Sequence, residues 1–233
     1  MFHTAAPPQA QGRNQTSEAR KATALAECSG SMRAMGAKPD IPLVVTVPGW
    51  VDEVVSDFSG PLETDEDRMG LAIALSRHNI ERGGGPFGAV VFLGERLVGA
   101  GVNRVVDTGF SIAHAEIVAM MRAQQVLASC ASRLGPTGEA PRYSLVTTTD
   151  PCCQCFGALV WSGIEHLVCG ATTDDAEAIG FDEGPKPDEW VHTLESRGMS
   201  VTQGVRRDEA RAVLDDYVRH GGTIYGMRHP AAP

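Results

Sequence analysis

Apolar residues return at helical spacing after Thr64: Met69, Leu71, Ala72, Leu75 and Ile80 share one stripe, which predicts an amphipathic helix closed by Gly83-Gly84-Gly85. Thr64 stands three residues before Asp67, the pattern of a helix N-terminus that caps itself. The period then changes. Phe87–Leu93 is a nearly unbroken apolar run, Gly94-Glu95 a turn, and Arg96–Asn103 its return, which together predict a hairpin. After a loop, a second helix is predicted from Ala113 to Ala128, followed by a polar connection over 129–141 that contains Gly and Pro. Tyr143–Thr149 reads as a strand, Cys152–Ser162 as a helix and His166–Gly170 as a strand. Glu189–Arg197, Val201–Gln203 and Asp208–Arg219 continue as helix, strand and helix. Strands interleaved with helices in this order predict an α/β protein with a central sheet and helices on both faces, a three-layer αβα arrangement.

The ends of the chain read differently. Residues 1–45 are expected to be a disordered tail, because the first forty are rich in Ala, Gln, Ser, Gly and Pro. An organellar transit segment and a true start at Met32 or Met35 both remain open there. Residues 41–62, with Ile41-Pro42-Leu43 and Pro48-Gly49, read as an extended entry. A single domain with a C-terminal helical extension is expected over 46–228. The formal charge of the 233 residues is −9, yet residues 1–40 carry +2 and residues 41–233 carry −11. The acidic part fits small-molecule chemistry better than a polyanionic partner, so nucleic acid is disfavoured. No run approaches the roughly 18 apolar residues of a membrane span. Without a secretory signal, the cytoplasm is the expected location.

Charge and length do not explain the cysteines. Six are present, at 28, 130, 152, 153, 155 and 169, and three of them crowd into four positions, poor spacing for disulfides. Cys152 and Cys155 stand three apart where a strand gives way to a helix, so they share one face and meet the free N–H groups of the first turn. His114-Ala115-Glu116 opens the preceding helix. One histidine and two thiolates make three zinc ligands, which leaves the fourth place of a tetrahedral ion for water. Glu116, two residues from His114, is placed as the acid and base such a water needs. A lone CxxC is also compatible with a redox pair or half of a structural zinc site, with Cys130 and Cys169 as further candidates. The combination of HxE first and PCxxC some forty residues later argues for catalytic zinc.

That combination resembles the signature of the cytidine deaminase-like superfamily of zinc deaminases, over about residues 64–225. Gly84-Gly85-Pro86-Phe87-Gly88-Ala89-Val90-Val91 resembles the first hairpin strand of the guanine deaminase and tRNA adenosine deaminase branch. Ile179-Gly180-Phe181-Asp182-Glu183 is similar to a segment of the guanine deaminase-like enzymes that the tRNA enzymes usually lack. Pro185 to Trp190 and the closing Gly221-Gly222-Thr223-Ile224-Tyr225 resemble a guanine and s-triazine deaminase subgroup. Two positions depart from the pattern: Asp150 replaces the usual Glu before Pro151, and Gln154 the usual Met between the cysteines.

The resemblance implies a mixed five-stranded sheet and one zinc per subunit on His114, Cys152 and Cys155, with a zinc-bound water or hydroxide. It implies Glu116 as proton shuttle and Glu183 as a second catalytic acid. Asn103, eleven residues before His114, matches the asparagine that orients the substrate. Phe87, Ala115, Trp161 and Tyr225 correspond to substrate-binding positions, with Trp161 otherwise a core or dimer residue and Tyr225 otherwise a terminal anchor. A homodimer built through the helix after PCxxC is implied as well. The expected activity is hydrolytic deamination of an aminopurine, guanine to xanthine and ammonia. A guanine nucleoside, an s-triazine such as ammeline or a specialised metabolite is the alternative. Deamination of tRNA adenosine and a non-catalytic zinc-stabilised binding protein are less favoured.

Overall fold

The computed structural model describes residues 45–129 and 143–226. The 129–141 connection, the N-terminal tail, Cys28 and Cys130 therefore fall wholly or almost wholly outside the described residues. Described elements run in the order α1 (Gly49–Asp57), α2 (Asp65–Glu81), β1 (Gly88–Leu93), β2 (Arg96–Val102), α3 (Val105–Thr108), α4 (Ala115–Ser129), β3 (Tyr143–Thr149), α5 (Cys153–Ser162), β4 (His166–Ala171), α6 (Thr173–Ala178), α7 (Trp190–Glu195), β5 (Ser200–Thr202) and α8 (Arg207–Arg219).

The strands form one five-stranded sheet in the order β2-β1-β3-β4-β5. β1 is antiparallel to both neighbours, while β3, β4 and β5 are parallel. Alternation along the strands sends successive side chains to opposite faces. Val90, Phe92, Val146 and Val168 pack with Met69, Leu71 and Leu75 of α2 and with Val213 and Leu214 of α8. Ala89, Val91, Leu145 and Leu167 pack with Ala119 and Ala123 of α4, Leu159 of α5 and Leu194 of α7. These two apolar clusters are the two inner layers of the predicted αβα stack.

Helix α2 begins as its sequence predicts: the Thr64 side chain accepts from the Asp67 N–H and the Asp67 carboxylate accepts from the Thr64 N–H. Elsewhere the prediction needs correction. The stretch read as an extended entry contains α1, because Pro48 does not end structure there but sits at the N-cap, where a missing N–H costs nothing. Helix α6 was not anticipated, although Thr172 and Asp175 form a second reciprocal cap of the same kind. Among the described residues, no helix is long and apolar enough to cross a membrane.

Candidate active site

The C-terminal ends of β2 and β3 decide where the chemistry sits. β3 ends at Thr149, and Asp150-Pro151 turns the chain so that Cys152 becomes the N-cap of α5 and Cys155 its third residue. His114 directly precedes α4, whose first turn carries Glu116. Two segments some forty residues apart thus bring three ligands together: His114 Nδ1 lies 3.4 Å from Cys152 Sγ and 3.6 Å from Cys155 Sγ, and the ligand atoms all fall within 4.8 Å of one another. A zinc tetrahedron with bonds of about 2.0 Å to nitrogen and 2.3 Å to sulfur has an N–S edge of about 3.5 Å. The triangle therefore fits zinc.

Its electrostatics say the same. The Cys152 thiol is drawn down to about 4, first by its hydrogen bond from Cys155 and also by His114. That bond and burial keep the Cys155 thiol well above its ordinary value. Burial and then the Cys152 charge raise Glu116, which is 7% exposed. Burial and the charges on Cys152 and Glu116 push Glu183, 6% exposed, up to about 8. Burial disfavours a charged His114, but the Cys152 thiolate and the neighbouring carboxylates outweigh it and raise its affinity for protons. Four acidic groups compete for ionisation in one buried place, and a dication resolves that competition.

A cavity of about 530 Å³ opens beside the triangle. Its lining includes His114, Cys152, Glu116, Glu183, Asn103, Phe87 and Tyr225, so most of the residues singled out in the sequence converge there. Three stand outside the cavity wall. Cys155 is buried behind it and still completes the ligand triangle. Ala115 is fully buried in the apolar cluster under α4, and Trp161 stands 87% exposed on α5. Their positions follow from helix geometry: one turn of α4 cannot aim His114, Ala115 and Glu116 the same way, and Trp161 lies nearly two turns beyond the cysteines.

Asn103, 1% exposed, accepts the Val105 N–H on its Oδ1 at 3.1 Å. It thus fixes the approach to α3 and lines the cavity at once, and its amide nitrogen is the group left for a ligand. Asn79 of α2, not suspected from the sequence, holds this corner: its Nδ2 donates to the carbonyls of Gly85 at 2.8 Å and Asn103 at 2.9 Å. A Cβ on Gly84 would lie 2.5 Å from the Asn79 amide, and one on Gly85 would lie 2.9 Å from the Tyr225 hydroxyl and 3.0 Å from Asn103 Oδ1. The glycines let the backbone pass this close. A polar residue inside an apolar helical stripe is the signal that would have marked Asn79. Phe181 is a second addition: its ring stands edge-on to Phe87 (5.0 Å between centroids) and to Tyr225 (5.1 Å). The Tyr225 hydroxyl is buried without a hydrogen-bond partner among the described residues.

A three-ligand metal site with a buried carboxylate beside it, at the ends of strands in an α/β sheet, suits metal-assisted hydrolysis. Residues 62–171 match the cytidine and deoxycytidylate deaminase zinc-binding region. The fold is similar to that of a guanine deaminase from Nitrosomonas europaea, with 42% identity and a TM-score of 0.70 over 78% of this chain and 98% of that one. A solved structure in complex with 2,6-diaminopurine is similar as well, at 43% identity and a TM-score of 0.69 over 79% and 97% of the two chains. Guanine deaminase of Bacillus subtilis is 31% identical over 48% of this chain and 67% of its own. A tRNA-specific adenosine deaminase of Buchnera aphidicola is 33% identical over 67% and 90%. The chain spans about a third of the length of the tRNA(Ile)-lysidine synthases of Deinococcus deserti and Deinococcus radiodurans that it also matches, 33% and 29% respectively. This chain belongs to the cytidine deaminase-like family of zinc-dependent deaminases, in its guanine deaminase-like branch. Its cofactor is one zinc ion per subunit, at His114, Cys152 and Cys155.

Proposed function

We propose that the chain deaminates guanine to xanthine and ammonia. The observation that carries the reading is Glu183: a second buried acid from the Gly-Phe-Asp-Glu segment lines the same cavity as Glu116. The likeness to the Nitrosomonas europaea guanine deaminase over nearly its whole length supports it. Bound zinc supplies a water made acidic enough to attack at neutral pH. The chain does the rest. Glu116, sealed from solvent, takes a proton from the attacking water and gives it to the ring nitrogen beside C2; it then moves the proton of the hydroxyl added at C2 to the amino group, so that ammonia leaves and the C2 carbonyl forms. Glu183 accepts the ring N–H of guanine, or carries a proton to it. The Asn103 amide nitrogen donates to the carbonyl, and Phe87 in the cavity wall supplies an aromatic ring for a planar base to pack against. The Tyr225 hydroxyl offers one more polar contact.

Adenine presents an amine and a bare nitrogen where guanine presents a carbonyl and an N–H. Lone pairs would then face an acceptor, and buried groups would go unpaired, a mismatch that costs up to about 10⁴-fold or more in sites of this kind. Ammonia release from guanine, guanosine, adenine, cytosine, cytidine and ammeline tests the reading. Guanine is expected to lead; a preference for adenine would overturn the substrate while leaving the metal chemistry. A guanosine or ammeline preference would select the related-ring alternative. The reading assigns the chain to purine metabolism, and the cytoplasm is the compartment proposed for it. The exposed Trp161 on α5 supports a homodimer that buries this helix, which light scattering at micromolar concentration checks; a monomer there would contradict it.

A further inference from the structure

The acid that carries this reading sits in a segment with little structure of its own. Phe181–Glu189 lies between α6 and α7 and joins no strand. Two bonds tie it to the cysteine turn, and they land on either side of a zinc ligand. The Glu183 carbonyl accepts the Cys153 N–H at 2.8 Å. Three residues on, Lys186 Nζ donates to the Pro151 carbonyl at 2.8 Å and to Thr173 Oγ1 at 2.6 Å. Cys152 is the residue between the bonded Pro151 carbonyl and the bonded Cys153 N–H. Pro185 and Pro187 flank Lys186 and have no N–H to offer, so its side chain does the anchoring that their backbone cannot. Its ammonium lies 4.9 Å from the centroid of the buried Trp190 ring, which holds the long stem in place.

We propose that Lys186 is a positioning residue of the reaction: it staples the Glu183 segment across Cys152 and so fixes where the Glu183 carboxyl stands relative to the metal site. The proposal rests on the guanine deaminase reading for its kinetic consequence, but the staple itself is a property of the folded chain. A charge-assisted bond at Lys186 together with a backbone bond at Glu183 restricts a short irregular segment far more than apolar packing alone. Without the ammonium, the segment loses its bonds to the Pro151 carbonyl and to Thr173 Oγ1.

The test uses the full-length zinc-loaded protein and its Lys186→Met and Lys186→Arg variants. Methionine keeps the stem against Trp190 and removes the charge and both bonds; arginine keeps a cation and donors. Lys186→Met is expected to lower kcat on guanine by about 10- to 100-fold, the scale of a displacement near 1 Å, with KM and zinc content little changed. Lys186→Arg is expected to restore most of the loss. Hydrogen exchange at the Cys153 amide, read without any substrate, is expected to accelerate in Lys186→Met alone. This second readout separates the two ideas: an enzyme inactive on guanine with faster Cys153 exchange in the variant keeps the staple and removes the guanine reading. Wild-type kcat together with unchanged exchange would overturn the staple, as would equal defects in the Met and Arg variants. If Lys186→Met does not fold, Thr173→Val removes one acceptor and keeps the ammonium; faster Cys153 exchange there supports the staple, and unchanged exchange overturns it.

Discussion

The two ends of the parallel strands carry the same kinds of residue and opposite electrostatics. At the start of β4, His166 Nε2 meets Asp65 Oδ2 at 3.0 Å and its Nδ1 meets Ser200 Oγ at 2.8 Å. Serine, histidine and aspartate stand in line as in a hydrolase triad. Yet Ser200 also donates to the Glu165 carbonyl at 3.2 Å, every group has a partner, and the serine is open to solvent. At the far end of the same strands, beyond Thr149 and Ala171, a histidine, two cysteines and two glutamates are buried together with competing demands for protons. A contented polar cluster holds elements together. A crowded one stores the reactivity that a metal and a substrate then use.

Removing a zinc ligand breaks the crowded end most completely. Cys152→Ala or Cys155→Ala is expected to reduce zinc from one per chain to a small fraction and to abolish turnover, by elemental analysis and ammonia release. Next is Glu116→Gln, which keeps the metal: turnover on guanine is expected to fall by about 10⁴-fold, the upper end for a general acid and base, because one carboxyl serves several transfers. A variant retaining a tenth of the wild-type rate would remove Glu116 from that role. Glu183→Gln is expected to cost about 10²-fold in turnover with zinc retained; full activity would make Glu183 a wall residue and take away the main support for guanine.

The satisfied regions respond in stability rather than rate. Asp175 caps α6 and receives Arg207 Nε at 2.8 Å and Nη2 at 3.0 Å. The Arg207 bond and the Thr172 cap hold its carboxyl below the usual range. A depressed value in the folded state means that the stabilisation is present above the unfolded value, near 3.9, and is lost as pH falls through the folded one. Asp175→Asn is therefore expected to cost about 1 kcal/mol at neutral pH, with the deficit shrinking in acid, by denaturant unfolding across pH. His166→Ala should change kcat on guanine not at all and stability by about 1 kcal/mol or less. A rate effect there comparable to that of Glu116→Gln would dissolve the contrast between the two ends.

Much of this was legible in the residues because it is local. The capping pair at Thr64 and Asp67, the Gly94-Glu95 turn and the β3 run place α2, the hairpin and the centre of the sheet. HxE and PCxxC each lie within one junction, so their spacing along the chain survives folding. What was missed depends on distant partners. Asn79 matters for two carbonyls at the opposite end of the hairpin, Phe181 for rings from β1's approach and the C-terminal segment, and Lys186 for a carbonyl 35 residues earlier. For Trp161 the sequence leaves pocket, core and dimer surface open, because an aromatic on a helix announces that it buries something, not which side it faces or whose surface it meets; it stands exposed on α5, outside the cavity wall. α1 was lost to two turn-forming residues, Pro48 and Gly49, that a helix start accepts equally well.

The central claim is that this cavity converts guanine to xanthine by adding water at C2. Incubating the zinc-loaded protein with guanine in ¹⁸O-labelled water and weighing the product by mass spectrometry tests it most directly. The account predicts xanthine carrying one labelled oxygen, formed in step with an equal amount of ammonia and absent when Glu116→Gln replaces the wild type. Unchanged guanine, while another ring of the panel is turned over by the same preparation, would contradict it.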